Sequence, residues 1–348
     1  MNQLEVNLCK KFNRKYGVYT GNGTTAMYIA FSALGLQSKK VLFPGISCTN
    51  PVNAAIYAGY DVDFCDITIE NFTIDTDKMQ EMLNTGVYGI VVPTHIYGQH
   101  CDMKLINEIC NKNGVIVIED AAQTYRVENS TISIMSFGHT KIFETNIGGG
   151  IAFTDSEEVY NSMVNYRKLI NSRPDNANEL FDEYRKKYYS IVDKSVSEYE
   201  KYTRLKQLQI ESKRYFIYNE ENNSELKNIL DNFDVLLKER VERKKLYDNL
   251  LDKKFFYIPE NKEDVLWRYT FLYKGNRDKL LDDARKEGID ISSWYPALNS
   301  IYKNKSLKNS DRLQNEVVNL WVTADHDIDR IKKEINILNK LMEENTYG

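Results

Sequence analysis

Residues 115–123 read Val-Ile-Val-Ile-Glu-Asp-Ala-Ala-Gln, and this stretch decides the fold class. Its first four residues form a fully apolar run, which is typical of a strand in a parallel sheet covered on both faces. Short apolar runs of this kind alternate with helical patterns throughout residues 1–155. The alternation predicts an α/β fold, a three-layer sandwich in which helices cover both faces of a mostly parallel sheet.

The chain of 348 residues is long enough for one large domain and one smaller domain. In residues 1–155, strands are predicted at 41–43, 62–65, 88–92, 115–118, 132–137 and 150–153, and helices at 23–36, 53–58, 75–84 and 105–111. Residues 156–250 carry Lys, Glu, Tyr and Leu at helical spacing, which predicts a helical connecting region. Residues 251–348 mix strand and helix patterns again, so we expect a small α/β C-terminal domain there.

Charge and cysteine usage exclude several classes of protein. The net charge is −4, from 46 basic and 50 acidic residues, so nucleic acid is not an expected partner. No apolar run has the length of a membrane span and residues 1–15 lack a signal-peptide core, so we expect a cytoplasmic protein with no membrane partner. The five cysteines are scattered, and His95, His100 and Cys101 match no ligand spacing, so neither disulfides nor a metal are expected.

A glycine loop opens the first predicted helix. Residues 21–26 read Gly-Asn-Gly-Thr-Thr-Ala, and free backbone N–H groups and hydroxyls at a helix start suit a phosphate. The same residues fit the dinucleotide pattern Gly-x-Gly-x-x-Ala, which needs an acidic residue about 20 positions later. Residues 39–51 contain none, so a nicotinamide cofactor is disfavoured. A simple helix-starting turn stays an alternative.

Two more segments place ionisable side chains where strands end, which is where open parallel sheets bind ligands. Asp120 follows the apolar run and could keep the ring nitrogen of a pyridoxal cofactor protonated, although an aspartate here could equally cap a helix. Lys141 lies five residues after Ser136 and before the triple glycine at 148–150. A Schiff base at Lys141 beside a phosphate at Ser136 would suit this order, whereas a lone lysine is usually a solvated surface group.

A further segment, residues 93–99, reads Pro-Thr-His-Ile-Tyr-Gly-Gln and follows the predicted strand at 88–92. It offers the imidazole of His95, the phenol of Tyr97 and an amide near the edge of the sheet where Asp120 is expected. Taken alone, the segment would be interpreted as a loop. Together with the other segments it supplies two candidate substrate-binding residues, His95 and Tyr97.

The order and the residues of these segments resemble those of the sugar aminotransferase family known as DegT/DnrJ/EryC1/StrS. Its members are fold-type-I pyridoxal-phosphate enzymes. The resemblance covers nearly the whole chain and implies an aspartate-aminotransferase-like large domain that binds pyridoxal 5′-phosphate. It implies that Lys141 is the catalytic residue and holds the cofactor as an internal aldimine. The other implied cofactor contacts are Gly23, Thr24, Thr25 and Ser136 at the phosphate, Asp120 at the pyridine nitrogen and Gln123 on the ring hydroxyl side.

The C-terminal part agrees with the resemblance. Residues 287–289, Glu-Gly-Ile, and 293–296, Ser-Trp-Tyr-Pro, are similar to the family's small-domain segment near the substrate mouth. The similarity implies that Trp294 and Tyr295 contact the substrate. Because family members are typically homodimers with the active site at the subunit interface, the resemblance also implies a homodimer.

Two departures from the family pattern concern the pocket. The segment 44–48, Pro-Gly-Ile-Ser-Cys, aligns with a stretch in which an aromatic residue often stacks on the cofactor ring, and here Cys48 takes that place. Cysteine occurs there in some relatives, so a changed pocket shape is expected more than lost activity. The asparagine–arginine motif by which the partner subunit usually reaches the cofactor is not found.

The implied reaction is a transamination from an amino acid, expected to be glutamate, to a ketone. Family membership favours a nucleotide-linked ketosugar, for polysaccharide (capsule or O-antigen) or secondary-metabolite biosynthesis. The short chain and the small Cys48 favour a small phosphorylated ketone such as dihydroxyacetone phosphate, and both acceptors stay open.

Two other functions are weighed against transamination. Relatives that dehydrate a ketosugar carry histidine in place of the aldimine lysine, and Lys141 argues against such a lyase because His139 does not align with it. A non-catalytic regulatory protein on the same fold is also conceivable, since fold alone does not fix function. The intact Asp120 and Lys141 argue against that alternative.

Overall fold

Two β-sheets organise the structure, a computed structural model that describes residues 1–260 and 263–347. Strands are numbered β1 to β11 in chain order. The seven strands of the larger sheet are Tyr16–Thr20, Lys40–Pro44, Val62–Cys65, Tyr88–Val91, Ile116–Asp120, Ile132–Ser136 and Gly150–Thr154. The four strands of the smaller sheet are Phe256–Tyr257, Tyr269–Tyr273, Ile291–Ser292 and Val317–Leu320.

The larger sheet has the strand order β1-β7-β6-β5-β4-β2-β3. Strands β2 to β6 run parallel to one another, and β7 is antiparallel to both β6 and β1. The expected α/β fold with a mostly parallel sheet is therefore confirmed. The sequence pattern did not indicate β1, because Tyr-Gly-Val-Tyr-Thr is a short mixed run containing a glycine.

Fifteen helices, α1 to α15 in chain order, are found among the described residues. They are Gln3–Lys11, Gly23–Leu34, Thr49–Tyr57, Thr76–Leu83, Met103–Lys112, Glu157–Arg167, Ala177–Lys194, Glu198–Glu211, Lys213–Phe216, Glu225–Asp231, Phe233–Leu250, Arg277–Lys286, Leu298–Lys303, Lys308–Glu316 and Ile328–Tyr347. Helix α2 begins where the Asn22 side chain accepts the Thr25 N–H and ends at Gly35, whose φ is 63°. Helix α3 begins at Thr49, four residues before the predicted start at Asn53.

Side chains of β5 show how the larger sheet is covered. Ile118 packs with Ile29 and Ala30 of α2 on one face, whereas Val117 packs with Ile106 of α5 on the other. Successive side chains of a strand point to opposite faces, so an unbroken apolar run needs helices on both sides. Each fully buried side chain of this size contributes about 1.5–3 kcal/mol to folding. Burial on both faces accounts for the three layers.

Helix α11 links the two sheets. Its first residue, Phe233, packs with Phe12 and Phe143 against the larger sheet, while Tyr247, about four turns later, packs with Tyr269 of the smaller sheet. One continuous helix therefore fixes the smaller sheet beside the carboxyl ends of the parallel strands. Across the described residues, no helix combines the length and the apolar composition that crossing a membrane requires.

Candidate active site

The carboxyl ends of the parallel strands gather the candidate residues. Cys48 lies four residues beyond β2, Asp120 is the last residue of β5, and Lys141 follows β6 by five residues. Burial raises the pKa of the Cys48 thiol, and the Lys141 ammonium opposes that shift. Burial likewise raises the pKa of the Asp120 carboxyl. The hydrogen bond from the Ala122 N–H and the charge of Lys141 both oppose this shift. The structure therefore brings these three side chains within electrostatic reach of one another.

Asp120 is held rigidly and does not cap a helix. Its backbone N–H donates to the Pro93 carbonyl at 2.9 Å, and its carbonyl accepts the His95 N–H at 3.1 Å. One carboxylate oxygen accepts the Ala122 N–H at 3.1 Å. Residues 121–131 form no helix before β6 begins, so helix capping does not explain this aspartate. The second carboxylate oxygen stays available to a ligand at the end of the strand.

The glycine loop forms a narrow cradle against Ser136. A Cβ atom at Gly23 would lie 2.9 Å from the Ser136 Cβ and 3.1 Å from its Oγ, closer than real Cβ atoms pack. A Cβ atom at Gly150 would lie 2.4 Å from the Gly23 nitrogen, which explains the third glycine of the 148–150 run. The N–H groups of Gly23 and Thr24 remain without a partner in the helix, since the Thr25 N–H donates to the Asn22 side chain and the Ala26 N–H donates to the Asn22 carbonyl. Such an arrangement suits a phosphate.

The two threonines of the loop have different environments. The Thr25 hydroxyl donates to the Phe216 carbonyl at 3.3 Å and accepts the Tyr218 N–H at 3.2 Å. These bonds tie the loop to the segment after α9 and leave the Thr25 side chain engaged by the protein. Thr24 and Ser136 are the hydroxyl side chains that remain for a phosphate.

Replacing Gly23 by alanine is expected to weaken binding of pyridoxal 5′-phosphate at least about tenfold, since the new methyl group would clash with Ser136 and push the loop away from its hydroxyl. Absorbance titration of the cofactor measures the change. Gly35→Ala, at the other end of α2, is the matched control because its positive φ costs about 1–2 kcal/mol but no atom lies within 4 Å of the new methyl. Equal losses in both variants would contradict a cradle at Gly23.

An aromatic wall faces Lys141. The Trp267 ring lies 6.0 Å from the Lys141 Nζ and stacks at 6.0 Å on Tyr295 and at 6.3 Å on Tyr97. The Trp267 indole N–H donates to the Thr140 carbonyl at 2.6 Å, one residue before the lysine. Sequence reasoning missed Trp267, because no motif marks a tryptophan just before a strand more than 120 residues away from Lys141.

Gln123 and Tyr97 hold this wall together. The Gln123 amide oxygen accepts the Tyr97 N–H at 2.8 Å, and its amide nitrogen donates to the Tyr295 hydroxyl at 3.3 Å. The Tyr97 hydroxyl donates to the Trp294 carbonyl at 2.5 Å and accepts the Tyr295 N–H at 3.1 Å. Tyr97 and Tyr295 are buried, whereas Trp294 is 49% exposed. Of these three side chains, that of Trp294 therefore faces solvent.

His95 is not brought to the pocket surface. It is fully buried, its Nε2 lies 2.8 Å from Glu119, and its Nδ1 accepts the Cys101 N–H at 3.0 Å. Because Nδ1 accepts a hydrogen bond, the ring carries its proton on Nε2 and is neutral. Both nitrogens are thus occupied by the protein, and the imidazole supports the strand end next to Asp120. The described residues contain no group of three or more His, Cys, Asp or Glu side chains placed to hold a metal.

The residues at this edge fit pyridoxal 5′-phosphate. The loop at Gly23 packs so closely on Ser136 that no Cβ atom fits between them, which brings the loop backbone and the Ser136 hydroxyl together. A buried carboxylate at Asp120 suits a protonated ring nitrogen, and the Lys141 amine suits a covalent bond to an aldehyde. Cys48 is partly exposed and lies close enough to Lys141 for the ammonium to act on its thiol.

Comparison with known proteins gives the same assignment. Residues 1–186 match the DegT/DnrJ/EryC1/StrS aminotransferase family. The 3-oxo-glucose-6-phosphate:glutamate aminotransferase of Bacillus subtilis (strain 168) is 30% identical over 211 residues, covering 55% of this chain and 48% of the relative. The GDP-perosamine synthase of Caulobacter vibrioides is 32% identical over 152 residues, 41% of each chain. The matched stretches span less than half the length of these relatives.

A solved structure shows the same fold over most of the chain. The crystal structure of NtdA from Bacillus subtilis with bound cofactor PMP has a TM-score of 0.72 and 22% sequence identity, and it covers 97% of this chain and 76% of that one. Residues 1–186, which match the family, contain the whole seven-stranded sheet and the strand ends that carry Cys48, Asp120 and Lys141. The resemblance seen in the sequence is thereby confirmed: the chain belongs to the DegT/DnrJ/EryC1/StrS aminotransferase family, whose members depend on pyridoxal phosphate.

Proposed function

We propose that the protein is a pyridoxal-phosphate-dependent aminotransferase that moves an amino group from glutamate to the ketone of a carbohydrate precursor. The observation that carries this proposal is the meeting of Asp120 and Lys141 at one sheet edge, beside the glycine loop that packs on Ser136. When bound, the cofactor supplies an electron sink for the carbon that bears the amine.

The chain's own residues would divide the remaining work. The Lys141 Nζ would hold the cofactor covalently and, once released, would accept and return the proton of the substrate carbon. The free Asp120 oxygen would accept the N–H of the pyridine ring, while the Gly23 cradle and the Ser136 hydroxyl would bind the phosphate. Buried Trp267 would exclude water from the side of the pocket that faces Lys141.

The acceptor is proposed to be a ketosugar carrying a phosphate or a nucleotide, or a small phosphorylated ketone. Two relatives support this class by name, one acting on 3-oxo-glucose 6-phosphate with glutamate and one named as a GDP-perosamine synthase. A role in polysaccharide or secondary-metabolite biosynthesis, and the homodimer implied by the resemblance, stay predictions.

Two half-reactions followed separately test the proposal. Adding glutamate to the cofactor-loaded protein is expected to convert the absorbance of bound pyridoxal phosphate into that of pyridoxamine phosphate. An acceptor should then reverse the change, and 3-oxo-glucose 6-phosphate, a nucleotide-linked 4-ketosugar and dihydroxyacetone phosphate are compared for this purpose. Aspartate serves as the donor control. Failure of every amino acid donor to change the spectrum of the loaded protein would refute the aminotransferase assignment.

A further inference from the structure

Three arginines lie buried where α11 meets the smaller sheet. Arg240, Arg243 and Arg268 are 5%, 7% and 3% exposed. Within residues 1–260 and 263–347, none of them makes an ion pair with a carboxylate. Removing a cation from water costs several kcal/mol unless it is paired or fully hydrogen-bonded. Carboxylates such as Asp290 and Glu144 therefore act on Arg268 only from beyond ion-pair distance.

The three guanidinium groups differ in how they are satisfied. Arg240 donates to the carbonyls of Leu266 and Trp267 at 3.1 and 3.2 Å. Arg243 donates to the carbonyls of His326 and Glu239, both at 2.9 Å. The Nε and Nη1 of Arg268 are buried and have no acceptor among the described residues. Arg240 and Arg243 thus support the backbone, whereas Arg268 is left with unused donors.

Other unpaired donors surround Arg268. Its guanidinium lies over the Trp321 ring, and the His326 ring stacks on the same indole at 5.6 Å and 11°. The Trp321 Nε1, the Thr323 Oγ1 and both ring nitrogens of His326 are also buried without a hydrogen-bond partner in the described chain. The His326 N–H donates to the Thr323 carbonyl at 3.1 Å, so these residues share one tight turn.

This concentration of unpaired polar atoms is unusual, because more than about 90% of buried polar groups in folded proteins have a partner. The unused groups are mainly donors: a guanidinium, an indole N–H, a hydroxyl and an imidazole. Donors around a positive charge complement a carboxylate or a phosphate, which offers only acceptors. An oxyanion would satisfy several of these groups at once.

The cluster adjoins the candidate active site. The Arg268 Cζ lies 4.7 Å from the Trp267 ring centroid, and the Lys141 Nζ lies 6.0 Å from the same centroid. The two cations therefore flank one indole and cannot be farther apart than the sum of these distances. Burial lowers the pKa of Arg268 to about 9, partly offset by Tyr295, so the guanidinium is still charged at neutral pH.

We propose that Arg268, Thr323 and His326, arranged around Trp321, form an anion-binding subsite for the carboxylate or phosphate of a substrate whose reacting carbon lies at Lys141. Arg268 and the Thr323 hydroxyl donate hydrogen bonds to the oxyanion, and the Trp321 ring supports the guanidinium. The role as a substrate subsite rests on the proposed function, whereas anion binding itself does not.

Calorimetric titration tests the subsite with two probes, glutarate for a dicarboxylate donor and inorganic phosphate for a phosphorylated acceptor. The protein is titrated as purified and after loading with pyridoxal 5′-phosphate, which occupies the cradle at Gly23, at constant ionic strength. We expect wild-type protein to bind at least one probe and Arg268→Gln to bind it about tenfold to a hundredfold more weakly, the range for a hydrogen bond to a charged group.

Thr323→Val is the second variant, because it keeps the side-chain shape and removes only the hydroxyl; about threefold to tenfold weaker binding is expected. It answers the question even if Arg268→Gln fails to fold. Arg312→Gln, which removes an exposed arginine paired with Glu316, is the matched control and should bind like wild type. If the variants weaken the binding of glutarate alone, the subsite belongs to the amino donor. If they weaken the binding of phosphate alone, it belongs to the acceptor.

Two results would overturn the proposal: wild-type protein that binds neither probe, or Thr323→Val that binds both probes as tightly as wild type. The proposed function fails separately, when glutamate leaves the spectrum of the loaded protein unchanged. Loss of anion binding in Arg268→Gln together with an unchanged spectrum would uphold the anion site while removing the aminotransferase assignment.

Discussion

Lys141→Arg is expected to lower the rate of transamination by about a thousandfold or more. Arginine keeps the positive charge beside Trp267, but its guanidinium stays protonated at any pH used for assays. It can therefore neither bond covalently to an aldehyde nor carry the proton of the substrate carbon. General acid–base catalysis alone accounts for about 10²–10⁴ in rate, and loss of the covalent attachment adds to this.

Steady-state assays with glutamate measure the loss, and borohydride reduction locates the attachment. After reduction, the wild-type peptide that contains Lys141 should gain the mass of the cofactor, and no peptide of the variant should do so. Lys112→Arg, at the exposed last turn of α5, is the control and should retain both activity and label. Label on a different lysine, or a variant within tenfold of wild-type activity, would disprove the assignment of Lys141.

Asp120→Asn is expected to have opposite effects on catalysis and on stability. The amide cannot keep a ring nitrogen protonated, so transamination should fall about a hundredfold or more. In the cofactor-free protein, burial disfavours the charged carboxylate, as the raised pKa of Asp120 shows. Removing that charge should raise the free energy of unfolding by about 1 kcal/mol at neutral pH.

The pH dependence of stability follows from the direction of that shift. Because the pKa of Asp120 is higher in the folded protein than in the unfolded chain, the folded state binds more protons in the interval between the two values. The contribution of Asp120 to stability is therefore present below the unfolded pKa, about 3.9, and is lost as the pH rises through the folded pKa. The gain in the free energy of unfolding of Asp120→Asn over wild type should vanish at low pH and reach its full size above that interval.

Thermal or urea unfolding of the cofactor-free proteins from pH 4 to pH 8 measures this difference. Asp329→Asn, on the exposed first turn of α15, is the control and should change neither activity nor the pH profile. A cofactor-free Asp120→Asn protein that is less stable than wild type at pH 7 would show that the carboxylate is needed for the fold and not kept for its ligand.

Local sequence patterns were enough to predict the central strands and the side chains at their ends. The run at 115–118 needs burial on both faces wherever it lies, and Asp120 must then fall at the edge of the sheet. The environments of these side chains could not be predicted, because they depend on distant segments. The Tyr97 hydroxyl, for example, binds backbone groups 197 and 198 residues away.

The same limit applies to His95, Gln123 and Arg268. His95 and Gln123 had the right residue types for ligand contacts, yet the structure engages both with protein groups. Arg268 carries no motif, and its unpaired donors become visible only when Trp321 and His326 pack beside it. Sequence spacing gave the strand ends, and tertiary packing decided which side chains remain free.

The hydrogen bonds of residues 294–295 also restrain the movement of this segment beside the candidate active site. To move Trp294 away, the protein must break the hydrogen bonds of Tyr97 to this segment, the bond between Gln123 and Tyr295, and the bond from the Trp294 N–H to Asn319. Each such bond contributes only about 0.5–1.5 kcal/mol net. Because the segment is held by a few weak bonds, we expect thermal motion to displace it more easily than the buried strands, which would let bulky substrates reach Lys141.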